Sequence, residues 1–274
     1  MPARLQEYAR QWDVIVDEEV ETGTSFIAFG TRGGAGVVLK VSKARDEWHS
    51  GQILAAFGGH GTVRVYEHTG GAVLLERVEP GTSLSEIVFS GREGEAVDIL
   101  AHVIREMTRA PLPESDAPSV EEWGVSFERY LQSDDQQIPR GLVTSAQSLY
   151  ADLCASQKQP RLLHGDLHHY NVLLDARRGW LAIDPKGVVG ELEYEIGAAL
   201  RNPYDRPELF TSPEIIQERV ARFAPALNVD PTRVRAWGFS QAVLSAVWSV
   251  EDGEAVTPED ARLLLASALR PILP

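Results

Sequence analysis

At 274 residues, with 43% hydrophobic and 24% charged residues, the chain has an ordinary globular composition, which excludes a disordered or fibrous protein and leaves one large domain or two lobes. Its 40 acidic residues outnumber 26 basic ones for a formal charge of −14, so nucleic acid and anionic membrane are excluded as expected partners, while a cationic small molecule is favoured. A single cysteine, Cys154, rules out an internal disulfide and a thiolate zinc cluster. No apolar stretch approaches the roughly 20 residues that a membrane helix needs. The first residues lack the basic-then-apolar layout of a signal peptide, and a cytoplasmic location is expected.

The first third reads as β-rich. Short β-branched or aromatic runs at Asp13–Val20, Ser25–Gly30 and Gly36–Val41 are punctuated by glycine, the pattern of hairpins. The period then changes over Lys43–Phe57, where Trp48, Ile53, Leu54 and Phe57 suit one side of a helix that Gly58 and Gly59 end. Two more strands are expected at Thr62–His68 and Ala72–Val78, split by the Gly70-Gly71 turn. The sum is five strands with one helix inserted after the third.

Glu79-Pro-Gly81 reads as a linker, because proline and glycine oppose continuation of a strand. Residues 1–78 then form one lobe and 79–274 a second, mainly helical one. Stripes at helical spacing run through Val97, Leu100, Ile104 and Met107; Leu142, Ala146, Leu149 and Leu153; Val234, Trp237, Leu244 and Trp248; and Leu265, Leu269 and Ile272. Such stripes are core. The segment Ala110–Pro118, with three prolines, is a loop. Within the helical half lies one β island: Arg161–Leu163, Val172–Leu174 and Trp180–Ile183.

The densest cluster of reactive side chains sits on that island, in Leu163-His-Gly-Asp-Leu-His-His-Tyr-Asn171 and Trp180-Leu-Ala-Ile-Asp-Pro185. A hairpin brings its two ends together, so Asn171 before one strand and Asp184 after the next become neighbours, with Asp166 on the same loop. An amide oxygen and carboxylates of this kind suit Mg²⁺, which keeps several waters and shares phosphate oxygens. In one chemistry, Asp166 is the general base for a substrate hydroxyl while Asn171 and Asp184 hold Mg²⁺ on a nucleotide, as in the protein-kinase catalytic loop. In another, His164, Asp166, His168 and His169 ligate transition metals in a metallohydrolase, although His49, His60, His68 and His102 all lie far upstream. In a third, the histidines only satisfy backbone groups beside an inert polar loop.

The kinase chemistry also requires a lysine on the third strand and a glutamate on the following helix. Lys40 in Val37-Val-Leu-Lys40-Val meets the first requirement, and Glu47 is the natural partner, ahead of Asp46 and Glu18. Between the first two strands, Gly23, Thr24 and Ser25 offer N–H and hydroxyl donors to phosphate oxygens, without the three glycines of the protein-kinase loop.

His164-Gly-Asp-Leu-His-His-x-Asn171 together with Ile183-Asp-Pro-Lys-Gly-Val-Val-Gly-Glu191 resembles the aminoglycoside phosphotransferase-like kinases, specifically the streptomycin 6-phosphotransferase and hydroxyurea-resistance kinase group. The resemblance implies an α+β, bilobal protein-kinase-like fold, ATP as co-substrate with Mg²⁺, and phosphorylation of a small-molecule hydroxyl, with a streptomycin-type cationic acceptor expected. It assigns Asp166 as base, Asn171 and Asp184 as metal ligands and Lys40 as the phosphate lysine. It also places adenine against the backbone near Glu76–Val78. The group often has proline after the Gly-Glu pair, where this chain has Leu192. The acidic run that follows makes Glu191 and Glu195 candidate acceptor ligands, with Glu193 on the surface and Asn202 and Asp205 as further candidates. A kinase of a sugar, an amino alcohol or hydroxyurea, and a non-catalytic nucleotide-binding protein, are the competing expectations on this fold.

Overall fold

The computed structural model describes residues 1–43, 46–111 and 117–270, without the side chains of residues 46 and 47. Helix α1 (Ala3–Gln11) precedes strands β1 (Ile15–Glu21), β2 (Ser25–Arg32) and β3 (Ala35–Ser42). A 3-10 turn at Asp46–His49 leads into α2 (Ser50–Ala56), and β4 (Val65–Thr69) and β5 (Ala72–Glu76) follow. These strands make one antiparallel sheet in the order β1-β2-β3-β5-β4.

The five expected strands are all present, but the expected single helix of this half is one of two. Helix α1 buries Leu5 and Ala9, with Trp12 just beyond it, against Ala28, Val37, Leu39 and Leu74 of the sheet. Positions 5, 9 and 12 lie one helical turn apart, so the amphipathic signal is in the sequence. The region expected as one helix from Lys43 splits into the 3-10 turn and the short α2. The Asp46 and Glu47 side chains and Ile272 lie outside what the structure describes.

The rest of the chain begins with β6 (Pro80–Ser83), α3 (Ser85–Phe89) and α4 (Glu93–Met107). The expected linker is therefore partly a strand, with proline at its first residue, where the missing N–H costs least. After α5 (Val120–Trp123), α6 (Val125–Gln132) and α7 (Arg140–Ala155) comes the β island: β7 (Arg161–Leu163), β8 (Val172–Asp175), β9 (Gly179–Ala182) and β10 (Val188–Gly190). The island forms two small sheets, β6-β8-β9 and β10-β7, which add β6 and β10 to the three runs expected. Helices α8 (Leu192–Leu200), α9 (Glu208–Thr211), α10 (Pro213–Leu227), α11 (Pro231–Glu251) and α12 (Ala261–Leu269) complete the fold. The predicted stripes on α4, α7, α11 and α12 are core positions: Leu100, Ala146, Trp237, Leu244 and Leu265 are fully buried. Among the described residues, no helix is long and apolar enough to cross a membrane.

The two halves are stitched together behind a cleft. Val63 N–H donates to Ala182 C=O (3.1 Å), and Ala182 N–H donates to Gly61 C=O (2.8 Å). Arg178, on the β8–β9 turn, donates to the Gly59 and Thr62 carbonyls (2.6 and 3.2 Å) and pairs with Glu76. A small apolar cluster of Leu54, Val63, Val73, Leu75 and Leu181 fills the same seam.

Leu39 is fully buried between α1 and the sheet. Leu39→Ala should cost about 2–5 kcal/mol from lost transfer energy and the cavity left behind. Equilibrium urea unfolding would show it as a lower midpoint with the same slope; an unchanged midpoint would contradict the packing.

Candidate functional site

The loop from His164 to Asn171 leaves β7 through Gly165, whose φ of +80° sits in the left-handed region. A Cβ there would also stand 2.8 Å from the Trp123 ring, so glycine is required on two counts. Glu195, buried on α8, pins the loop from beneath. Its Oε2 accepts from His164 N–H at 2.6 Å and its Oε1 from Gly165 N–H at 3.2 Å. Burial raises the Glu195 carboxyl to about 7, against the lowering effect of those N–H donors.

His164 is fully buried and ties this loop to the next. Its Nε2 donates to Ile183 C=O at 2.8 Å and its Nδ1 accepts from Asp166 N–H at 3.3 Å, the pattern of a neutral ring. Burial pushes the ring down to about 4. The His164 carbonyl in turn accepts from Lys186 and Gly187 N–H (3.0 and 2.9 Å), and Ile183 N–H donates to Asn171 C=O at 2.9 Å. Two loops distant in sequence thus become one hydrogen-bonded unit.

On this unit the side chains of Asp166, Asn171 and Asp184 line one cavity of about 610 Å³. Burial alone would raise the Asp166 carboxyl, but the His168 ring, Arg201 and Lys186 outweigh it and hold it well below the ordinary range. Arg201 lies 3.4 Å from Asp166 Oδ1 and is itself braced by Gln241 at 3.1 Å. Asn171 donates its Nδ2 to Asp166 C=O at 2.9 Å, so its Oδ1 is the atom left for a ligand. Asp184 has a φ of +59°, a left-handed backbone that aspartate tolerates better than most side chains, and its carboxylate is about half exposed. Lys40, on β3, reaches across from the five-stranded sheet and pairs with Asp184.

A second cavity, of about 660 Å³, lies between the sheet and the β island. Lys40, Thr24, Ser25, Glu76 and Val78 all line it, with Ile27, Val38, Leu75, Leu173 and Ile183 giving it an apolar wall. Ser25 is buried and its hydroxyl has no hydrogen-bond partner among the described residues. Thr22, which also lines this cavity, accepts from Ser25 N–H at 3.0 Å, and Lys43 N–H closes the turn onto Thr24 C=O at 2.7 Å. Gly23 is outside the lining, and a Cβ there would meet nothing within 4 Å. The Glu76 carboxylate is held by Arg178 and by Arg64 N–H (2.8 Å), and the Glu76 and Arg77 N–H groups donate to the Arg64 and Gly36 carbonyls (3.0 and 3.1 Å).

The structure does not bring the four expected acceptor residues to the cleft. Glu191 is fully buried beneath α11, accepting from Trp237 Nε1 (2.5 Å), Arg233 Nε (2.9 Å) and Lys158 N–H (3.1 Å). Glu195 holds the loop, as described. Asn202 is buried and donates to Ala198 C=O at 2.9 Å. Asp205 is exposed, accepts from the Tyr170 hydroxyl and lines neither cavity. The acidic run misleads because α8 is apolar on nearly every side, so Glu191 at its N-cap and Glu195 within it enter the core as structural acceptors. Glu193, expected on the surface, is half-buried and accepts from Asp230 N–H at 3.4 Å. The residues that do line the 610 Å³ cavity beside Asp166 include Glu122, Ser126, Arg129, Lys186, Trp248 and Glu251. Most stand on helices more than a hundred residues apart, and no local spacing announces them.

An amide oxygen and a carboxylate facing a polar cavity fit Mg²⁺, a hard cation that keeps water and shares phosphate oxygens. Among the described residues, no group of three or more His, Cys, Asp or Glu is placed to hold a metal ion, so the His/Asp set of the hydrolase chemistry does not assemble.

The sequence profile of the aminoglycoside/hydroxyurea antibiotic resistance kinases matches residues 11–253. The chain belongs to this family. It is 32% identical to a streptomycin 3''-kinase of Klebsiella pneumoniae, over 89% of this chain and 91% of that protein. It is 27% identical to a streptomycin 6-kinase of Streptomyces glaucescens (98% and 89%) and 30% identical to a hydroxyurea phosphotransferase of Kitasatospora aureofaciens (94% and 76%). An aminoglycoside phosphotransferase solved as a ternary complex with ADP and hygromycin B superposes with a TM-score of 0.68 at 16% identity, covering 99% of this chain and 98% of that one. A choline kinase of Streptococcus pneumoniae gives 0.68 at 14% identity, covering 98% of each chain. The bilobal kinase fold and the phosphotransferase class expected from the motifs are therefore those of this protein.

The neutral His164 ring makes stability depend on pH. The unfolded chain takes up the proton near 6.5 and the folded chain only near 4, so the stability this ring confers is present above 6.5 and lost as pH falls toward 4. Thermal midpoints should show the wild-type advantage over His164→Asn shrinking across that window. A difference independent of pH would remove the buried neutral ring.

Proposed function

We propose that the protein transfers the γ-phosphoryl group of ATP to a hydroxyl of a cationic, aminoglycoside-like acceptor of the streptomycin type. The observation that carries this reading is the meeting of two cavities at Asp184. The 660 Å³ cavity has the apolar wall a nucleobase needs, the 610 Å³ cavity is lined by carboxylates, and Asp184 and Ser50 are the residues common to both.

On this reading residues 1–78 carry the nucleotide, and residues 79–274 carry the catalytic loop and the acceptor. Adenine lies against the backbone of 76–78, Thr24 and Ser25 meet phosphate oxygens, and Lys40 holds the α- and β-phosphates. The orphaned Ser25 hydroxyl is a donor awaiting such an oxygen. Asn171 and Asp184 are the residues that would hold Mg²⁺, which would supply charge neutralisation at the phosphate oxygens. Asp166, ionised throughout the neutral range, accepts the hydrogen bond of the acceptor hydroxyl and takes its proton as the oxygen bonds to phosphorus and ADP leaves. Arg201 and His168 fix the orientation of that carboxylate. Positioning of this kind supplies most of the catalysis in phosphoryl transfer.

The test is a Mg²⁺-ATP turnover screen over streptomycin, hydroxyurea, other aminoglycosides, sugars and amino alcohols, with transfer to streptomycin expected. Turnover of a neutral sugar alone would replace the acceptor class. Asp166→Asn should lose about 10²–10⁴-fold in turnover and still bind nucleotide; retained turnover rejects the base. Asp184→Ala should abolish the Mg²⁺ dependence of nucleotide binding, and a preserved dependence would move the metal elsewhere.

A further inference from the structure

One wall of the acceptor cavity holds a guanidinium already. Arg129, on α6, sets its Nε 2.8 Å from Glu251 Oε1 and its Nη2 3.1 Å from Glu251 Oε2, the two-pronged geometry that guanidinium and carboxylate share. The same Nη2 donates to Ser126 Oγ at 2.7 Å. Ser126 is 2% exposed, donates to Glu251 Oε2 at 2.9 Å and accepts from Trp248 Nε1 at 3.0 Å. The carboxylate is the last residue of α11, where the helix dipole adds negative potential. Within the socket Ser126 is buried, Trp248 is half-buried and the Glu251 side chain is 28% exposed, all oriented by their own hydrogen bonds, whereas the Arg129 side chain that fills it is 60% exposed.

An ion pair with so exposed a partner contributes little stability and exchanges readily. All four residues line the cavity that contains Asp166, and so do Glu122 and Asp252, so a displaced Arg129 remains among opposite charges. The Trp123 and Trp248 rings, 5.6 Å apart and edge to face, offer an aromatic surface beside the socket. We infer that Glu251, Ser126 and Trp248 form a subsite for a guanidinium of the acceptor, and that Arg129 is its built-in occupant, displaced when the acceptor binds. The inference rests on the phosphotransfer reading and narrows its acceptor to a guanidinylated one.

Equilibrium binding of streptomycin to the full chain, by titration calorimetry with and without nucleotide, reads the subsite directly. Removing the internal competitor in Arg129→Ala should tighten binding several-fold, with Arg129→Gln as a second variant that keeps the side chain's length. Glu251→Gln should weaken it about tenfold, and Ser126→Ala should weaken it in the same direction. A pair that serves only structure predicts the opposite pattern: both ends of the pair shift streptomycin affinity the same way and lower the thermal midpoint alike. That result, or a wild type that does not bind streptomycin, overturns the subsite. Phosphoryl transfer to another hydroxyl in the same preparation would leave the catalytic reading standing. Absence of transfer to every acceptor, with the opposite-sign binding intact, would remove that reading and keep the subsite.

Discussion

The pairing of Lys40 with Asp184 joins the two halves of this molecule across its cleft. One partner rises from the middle strand of an antiparallel sheet and the other from a loop of the helical half. Neither has a reason to meet the other except that the two halves close on a common cleft. A lysine ammonium beside a half-exposed carboxylate gains little stability in water-accessible surroundings. The backbone seam that brings them together, from Gly61, Val63 and Arg178 to β9, carries the structural load instead.

Beneath that contact the chain spends buried carboxylates on architecture. Glu195 fixes the loop that presents Asp166, and Glu191 gathers Arg233, Trp237 and the backbone of Lys158. A buried acid is tolerable when its oxygens are filled by donors, and in both cases they are. The acid proposed as the base is distinguished by the opposite property: Asp166 keeps part of its carboxylate open to the cavity while Arg201 and His168 hold the rest.

Much of the fold was legible in the sequence because its signals are local. The glycine-punctuated β-branched and aromatic runs of β1 to β5 and the stripes on α4, α7, α11 and α12 are each carried by one segment's own residues. Lys40, Asp166, Asn171 and Asp184 were legible together because strand order and a hairpin are enough to place them in one cleft. Helix α1 was missed although Leu5, Ala9 and Trp12 mark it. The wall proposed for the acceptor was not legible at all, since Ser126, Arg129 and Glu251 meet only through the packing of α6 against the end of α11. Glu191 and Glu195 were misread because an acidic run looks the same in sequence whether it faces solvent or core. Only the apolar residues around them on α8 decide which.

The two cavities differ in their building material as well as their contents. The 660 Å³ cavity, proposed for the nucleotide, is lined by strands and by residues 76–81, and the 610 Å³ cavity by helices α5 and α6 and the end of α11, with Asp184 and Ser50 as the shared boundary. Mutations at Glu122, Ser126, Arg129 or Glu251 therefore alter no residue lining the 660 Å³ cavity. Such modularity lets lineages on this scaffold diverge in what they modify while inheriting the same fuel.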